Sequence, residues 1–356
     1  MVAKREEQAI LTVNGRNFLD WDSVSVKHEL GARPPYLCRF TCSEGLPIAN
    51  NFTKLQIKPG DQCTVTLAGY PAFKGKVMTR QVFFDANRHH IEIIAGTHTD
   101  LMTASVVSQT MEFKNQTFSQ IAQDQLKRFG IPLMFEGGAA PSMKFPRVSA
   151  AHGETVSDFL ETLARPTGVE FTANEKGDFV GVMGPLNNSD TVREGHEILI
   201  GREIIYNEAQ ATSNPSVAQG PGSDSKWGAA VAHVPYATIP SGTLFGGQAP
   251  GVIPFELPTS DNQMLKGRST SESKWLEDDK ITVIITVYGW QRPSGGLWQR
   301  NQTVSVVSEM LMMNGSEGLR AKSVTFSQDN RTGTRTTLDL RSKNNWGGGG
   351  PSVPGG

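Results

Sequence analysis

Tyr36-Leu-Cys-Arg-Phe-Thr-Cys42 alternates without a break: Tyr36, Cys38, Phe40 and Cys42 fall on one face of an extended chain, Leu37, Arg39 and Thr41 on the other. A period of two over seven residues is the pattern of a half-buried strand. The neighbouring segments repeat it. Ile10-Leu-Thr-Val-Asn-Gly15 ends in Asn-Gly, a strong hairpin signal, and Ser23-Val-Ser-Val26 alternates after it. Pro59-Gly-Asp61 turns into Cys63-Thr-Val-Thr-Leu67, and Ala68-Gly-Tyr-Pro71 turns again. Phe73-Lys-Gly-Lys-Val-Met78 and His90-Ile-Glu-Ile-Ile94 complete the set. Five or more short strands with close turns predict a barrel-like domain over residues 1–96.

The pattern changes after residue 97. Thr117-Phe-Ser-Gln120 and Thr155-Val-Ser-Asp158 both fit the capping box, in which the Thr hydroxyl satisfies an orphan backbone amide. Gln120 is long enough to reach back to its cap amide, whereas Asp158 is shorter and suits the box less well. Ile121, Leu126 and Phe129 give the first predicted helix an apolar stripe; Phe159, Leu160 and Leu163 give the second one. Each ends at a glycine followed by a strand-like run, Gly130-Ile-Pro-Leu133 and Gly168-Val-Glu-Phe171. The two segments align without a gap, which predicts an internal helix–strand repeat and a small α/β domain over 97–192.

Glu197-Ile-Leu-Ile-Gly201 and Glu203-Ile-Ile-Tyr-Asn207 read as two more strands. From 211 to about 267 the chain is rich in Gly, Pro, Ser, Ala and Asn with little periodicity, so an irregular insertion is expected there. Strand pattern returns at Lys280-Ile-Thr-Val-Ile-Ile-Thr-Val-Tyr-Gly289 and continues through Thr303-Val-Ser-Val-Val307, Lys322-Ser-Val-Thr-Phe326 and Thr336-Thr-Leu-Asp-Leu340. These segments predict a second barrel-like domain over 193–343, and 344–356 is a Gly- and Pro-rich tail unable to bury a core. Thr12-Val-Asn-Gly15, Trp21 and Val24-Ser-Val26 find an echo, at different spacings, in Thr286-Val-Tyr-Gly289, Trp298 and Val304-Ser-Val306. The expected fold class is therefore β-rich α+β and multidomain, with two barrel-like all-β domains flanking a small α/β domain.

Composition narrows the function. Lys and Arg (34) nearly balance Asp and Glu (35), so the basic surplus of a dedicated nucleic-acid binder is missing. Hydrophobic residues are 37% and no apolar run reaches the roughly 18 residues of a membrane span, so no membrane insertion is expected. The charged start, Met1-Val-Ala-Lys-Arg-Glu-Glu7, is not that of a secretory signal. Three cysteines, Cys38, Cys42 and Cys63, make no disulfide framework and fit folding in reducing cytosol.

No constellation for catalysis, metal or cofactor emerges. GxSxG, P-loop and HExxH patterns are missing, and no CxxC or HxxxH spacing brings the cysteines together with His89, His90, His98, His152 or His196. Glu154, Asp158 and Glu161 lie at helical spacing, but around a capped first turn acids simply favour the helix dipole. Trp290 with Arg292 and Trp298 with Arg300 are spaced to stack on a base or sugar. The preferred reading is that these four, with Trp21, brace hairpins or fill a subunit contact, where Trp and Arg are enriched.

The ordered motifs Val13-Asn-Gly with Trp21 and Val24-Ser-Val, Pro59-Gly-Asp, Ala95-Gly-Thr-His-Thr-Asp-Leu101, Asn115-Gln-Thr-Phe-Ser-Gln-Ile-Ala122, His152-Gly-Glu-Thr155, Val287-Tyr-Gly-Trp290, Gly296-Leu-Trp-Gln-Arg-Asn301 and Val324-Thr-Phe-Ser-Gln-Asp329 resemble the baseplate hub proteins of Mu-like contractile-tail phages, over nearly the whole chain. The family's usual Gly-Arg before Asp-Leu reads Gly96-Thr97 here. The resemblance implies a non-enzymatic virion protein of the tail baseplate, assembled in the host bacterial cytoplasm. It implies a homotrimer whose two barrel-like domains per subunit make a pseudo-sixfold ring between the tail tube protein and a trimeric central spike protein, next to other baseplate proteins. DNA passes through such a ring without sequence-specific contacts. Symmetry adaptors need repeated complementary surfaces, and exposed strands add to neighbouring sheet edges. Two other readings stay open: a peptidoglycan-degrading or glycan-binding tail component, from the acids and Trp–Arg pairs, and the hub of a tailocin or secretion-type injection machine.

Overall fold

The computed structural model describes residues 7–31, 35–43, 57–85, 89–107, 112–186, 188–205, 211–213, 216–220, 222–232, 234–235, 249–250, 253–257, 259, 261–278 and 281–342. The tail expected over 344–356 lies outside these residues, as does 236–248 of the expected insertion. The first strands are β1 (Ala9–Val13), β2 (Arg16–Phe18), β3 (Ser23–Glu29), β4 (Tyr36–Ser43), β5 (Gln62–Leu67), β6 (Tyr70–Phe84) and β7 (His89–Gly96). In β4 the alternation sorts the faces: Tyr36, Cys38, Phe40 and Cys42 are buried, while Arg39 is exposed. Asn14 and Gly15 both take positive φ, 48° and 78°, the backbone of the tight turn that closes β1 on β2.

The middle of the chain contains α1 (Asp100–Ala104), β8 (Glu112–Thr117), α2 (Phe118–Lys127), β9 (Leu133–Glu136), β10 (Lys144–Ser149), α3 (Val156–Thr167), β11 (Glu170–Ala173) and β12 (Phe179–Val182). Thr117 and Gln120 form the complete capping box at α2. At α3 Thr155 accepts from the Asp158 amide, and the short Asp158 carboxylate accepts from the Thr155 hydroxyl instead of reaching the cap amide. Gly168 ends α3 at φ 72°, in the left-handed conformation expected of a C-terminal glycine. The two strand–helix–strand passes run side by side: β8 pairs β10, and β9 and β11 flank β12. Ile121, Leu126, Phe159, Leu160 and Leu163 fill a core of their own, with Phe113 stacked on Phe159.

The remainder adds β13 (Ser189–Arg193), β14 (Ile198–Ile205), the short pieces β15 (Ala211–Ser213), β16 (Ser216–Ala218), α4 (Ala229–Ala232), β17 (Val234–Pro235), β18 (Ala249–Pro250) and β19 (Ile253–Pro254), then α5 (Asn262–Asp278), β20 (Ile281–Tyr288), β21 (Thr303–Ser308), β22 (Met313–Asp329) and β23 (Gly333–Ser342). Helix α5 was not foreseen, because Gly267-Arg-Ser-Thr-Ser-Glu-Ser273 has the composition of a loop. Tertiary packing overrides that composition: Met264, Leu265, Arg268 and Ser269 are buried on one side of the helix. Helices α5 and α3 touch backbone to backbone at Gly267, where an added Cβ would lie 2.0 Å from the Pro166 carbonyl oxygen. Only glycine fits that crossing.

Strands make up 52% of the described residues, spread over several sheets, and no sheet closes into a barrel among them. The largest has 13 strands and contains both the first strand, β1, and the last, β23. Its main path runs β14-β20-β23-β22-β3-β4-β7-β6-β5-β1-β2, so β22 and β3 stitch the C-terminal strands to the N-terminal ones in antiparallel register. Two stretches of this path share one order: β3-β4-β7-β6-β5 matches β14-β20-β23-β22-β21, with β21 paired to β22 off the main path. Their details match as well. A short strand, a long strand and a return strand follow one another in each, and the long strand bulges against its return strand once, at Met78 in β6 and at Lys322 in β22. The sequence echo aligned different residues: Thr286 lies in β20, which corresponds to β4 rather than to β1. The match ends at the sixth strand, where β1 pairs β5 antiparallel but β13 pairs β21 parallel.

Candidate functional site: a buried polar seam and two bare strand flanks

The five aromatic and arginine residues singled out from sequence occupy unlike positions. Trp290 and Trp298 are buried in the core of the large sheet. They carry a hairpin whose legs meet at the Gln291–Leu297 bridge, and Trp290 Nε1 donates to the Ser327 carbonyl at 3.2 Å. Arg292 Nε donates to the Gly295 carbonyl at 2.7 Å inside that hairpin, and its guanidinium lies 3.6 Å from Asp190. Asp190, itself buried, also accepts from the Ser294 amide (3.0 Å), the Ser294 hydroxyl (3.0 Å) and Gln302 Nε2 (2.7 Å). Trp21 is half-buried, tilted on Phe40 at 4.9 Å, and donates from Nε1 to the Phe18 carbonyl.

Arg300 has a different setting. It is buried, forms an ion pair with Glu136 at the end of β9, and donates to the Ala173 carbonyl from both Nε (3.1 Å) and Nη2 (2.8 Å). Beside it Arg320 of β22 pairs with Glu170 of β11 and donates to Asn301 Oδ1 at 2.8 Å; Asn301 in turn donates to the Gly184 carbonyl at 2.8 Å. Two backbone bonds extend the seam: Gly31 N–H to the Phe171 carbonyl (2.8 Å) and Leu30 N–H to the Lys322 carbonyl (3.0 Å). This seam fastens the helix-bearing middle to the large sheet. Buried charges need such mutual satisfaction, because unpaired ones are costly to desolvate. Sequence reasoning missed Asp190, Glu136, Glu170, Asn301 and Arg320, since ionic partners far apart in sequence leave no local signal.

His28 sits beneath the seam, stacked on Tyr36 at 3.8 Å and edge-on to Phe326 at 5.4 Å. Burial, with the Arg300 charge adding to it, pushes its pKa down to about 3. Burial likewise pushes the Cys38 thiol well up and Cys63 to about 12, so these cysteines are inert core residues. No group of three metal-ligating side chains occurs among the described residues. The acids of the hydrolytic reading each have local work. Glu154 accepts from the Ala151 amide, Asp158 accepts from the hydroxyl of Thr155, which caps α3, and Glu161 pairs with Arg165, which also reaches Glu256 at 2.6 Å.

The large sheet leaves two strand flanks bare among the described residues. One is the outer flank of β14, whose Ile200 is 56% exposed. The other is the distal part of β6. Strand β5 covers β6 only as far as Lys76, and beyond the bulge Arg80, Gln81, Val82 and Phe83 are exposed, Phe83 at 59%. The matching part of β22 is covered by β3, and its Val324 and Phe326 are fully buried. Large apolar groups beside an open strand flank mark an interaction surface.

Residues 98–181 match the family model for the second domain of the gp44-like baseplate hub protein. The baseplate hub protein gp44 of Escherichia phage Mu is 25% identical over 341 residues, covering 93% of this chain and 86% of that protein. Among solved structures, the 43 kDa tail protein of prophage MuSo2 from Shewanella oneidensis superposes with a TM-score of 0.78 at 21% identity, over 94% of this chain and 98% of that one. The tail protein from Neisseria meningitidis MC58 gives 0.76 at 15% identity, over 95% and 97%. The E. coli c3393 protein, a type VI secretion component described as similar to T4 tail proteins gp27 and gp5, gives 0.57 at 12% over 96% and 79%. The fold is therefore that of these phage-type tail proteins, shared with the type VI secretion component. Within that class the chain is similar to Mu-like baseplate hub proteins over nearly its whole length, as expected of a structural hub of a phage tail or injection machine.

Proposed function

We propose that three copies of this chain form a ring that adapts the sixfold tail tube to the threefold central spike, without enzymatic activity. The observation that carries this reading is the repeat of strand order within one chain: β3-β4-β7-β6-β5 and β14-β20-β23-β22-β21. Two like units per chain give a trimer six similar faces on one side, while threefold symmetry is retained wherever the units differ. The N-terminal and C-terminal units act as barrel-like walls of the ring, and the α/β unit over 97–192 braces them through the buried seam of Arg300 and Arg320. The tube protein, the spike protein and other baseplate proteins are the partners. DNA crosses the lumen without sequence-specific contacts, in keeping with a formal net charge of −1.

Size-exclusion chromatography with light scattering tests the stoichiometry. The expected mass is three times the 38.7 kDa of one chain, with ring-shaped particles in negative stain. A chain that stays monomeric at all concentrations overturns the trimer. The similarity of fold to the type VI secretion component supports a second reading, the hub of a secretion-type injection machine. A gene neighbourhood encoding capsid and portal proteins decides for a phage over such a machine.

A further inference from the structure

The β22·β3 junction inside one chain is a template for contact between copies. We infer that the distal flank of β6, bare among the described residues, pairs antiparallel with the likewise bare flank of β14 from a second copy of this chain. This inference rests on the ring reading and specifies its subunit seam.

The register follows from the repeat. Laying the Met78 bulge on the Lys322 bulge equates Arg80 with Val324, Gln81 with Thr325, Val82 with Phe326 and Phe83 with Ser327. The other half of the junction is fixed through the neighbouring strands. Val26 pairs Cys38, which pairs Ala95, which pairs Val77. In the second unit Glu203 pairs Val283, which pairs Leu340, which pairs Ala321. Glu203 thus corresponds to Val26, Ile204 to Lys27, Ile205 to His28 and Arg202 to Ser25. Within the chain Val324 faces His28, Thr325 faces Lys27, Phe326 faces Val26 and Ser327 faces Ser25. Transposed, Arg80 faces Ile205, Gln81 faces Ile204, Val82 faces Glu203 and Phe83 faces Arg202 of the second copy.

The residues brought together are complementary. Arg80 and Glu203 take same-face diagonal positions, within reach of each other's long side chains. They stand where the internal junction has buried Val324 and Val26. On the opposite face Phe83 meets the Arg202 guanidinium, a cation–π pairing. Charge thus replaces part of the apolar core of the internal junction. That substitution suits a seam whose flanks must stay soluble before assembly, because charge blunts an open strand edge. Joining unlike flanks head to tail also lets a ring close with neither left open.

Disulfide trapping on the full chain tests the register. Adjacent antiparallel pairs alternate between wide and narrow spacing, so one of two neighbouring pairs is close enough for a disulfide. The double variants Gln81→Cys/Ile204→Cys and Val82→Cys/Glu203→Cys are oxidised and run on non-reducing gels; the native cysteines are buried and do not compete. The expected result is a covalent trimer from at least one double variant and none from the single variants. A register control, Gln81→Cys/Arg202→Cys, should trap at least tenfold less. Arg80→Glu should weaken assembly at least tenfold, and Arg80→Glu/Glu203→Arg should restore it. A trimer by light scattering that traps in neither double variant overturns the seam and leaves the ring standing. A chain that is monomeric throughout overturns both.

Discussion

Removal of the Arg300 guanidinium, as in Arg300→Met, strips a buried ion pair and two hydrogen bonds from the seam. The methionine stem preserves most of the packing but leaves the Glu136 carboxylate without its ion pair and the Ala173 carbonyl without its two donors. Breaking one partner from a buried pair costs about 3–5 kcal/mol, because the survivor stays desolvated. The Glu136 side chain is 21% exposed and still accepts from Asn301 Nδ2 at 3.2 Å, so the lower end, about 3 kcal/mol, applies. Glu136→Gln removes the opposite charge and keeps an oxygen for Asn301, and the double variant removes the mismatch. Urea denaturation read by tryptophan fluorescence gives the three differences, and the cycle isolates the pair. We expect a coupling of at least about 1.5 kcal/mol, in the range found for interacting neighbours. Amide exchange should rise first at 133–136 and 170–173, the strands that the seam holds. A coupling under about 0.5 kcal/mol would refute the claim that Arg300 clamps the middle of the chain to the sheet.

Three other outcomes follow from the geometry. His28 has a folded pKa of about 3 against an ordinary 6.5, so the unfolded chain takes up a proton that the folded chain refuses. Stability from this group is whole above pH 6.5 and falls by about 1.4 kcal/mol per pH unit down to about pH 3; His28→Gln should flatten that slope in pH-dependent urea curves. Gly267→Ala forces a methyl 2.0 Å from the Pro166 carbonyl and should destabilise by about 1–3 kcal/mol; a melting temperature equal to that of the parent chain would contradict the close crossing of α3 and α5. Thr117→Ala removes the hydroxyl of a complete capping box and should cost about 1 kcal/mol, measured as a shift in the urea midpoint without a change in slope.

The strands of the first 96 residues, the two capped helices and their terminal glycines were legible because short-range chemistry specifies them. Alternation in Tyr36–Cys42 reads out its own burial, and Thr followed three residues on by Gln or Asp, ahead of an apolar stripe, marks a helix start. The residue-by-residue position of the five aromatic and arginine side chains was not legible. Trp290 and Trp298 belong to the core, and Arg300 belongs to an ionic seam in which its own partners, Glu136 and the Ala173 carbonyl, lie 164 and 127 residues away. Helix α5 stayed hidden because its Ser- and Gly-rich composition resembles a loop, and burial against α3 decides its structure.

What the sequence determined by itself is local: where the chain extends, where it turns, where helices start and stop, and, through ordered motifs, a resemblance to a family. What only the tertiary structure decided is the joining of those pieces. The single sheet that carries the first and last strands, the β22·β3 stitch, the repeated strand order and the flanks of β6 and β14 left bare among the described residues all depend on which strand finds which neighbour. Pairing between residues hundreds of positions apart is set by the fit of whole surfaces, and no segment encodes that fit alone.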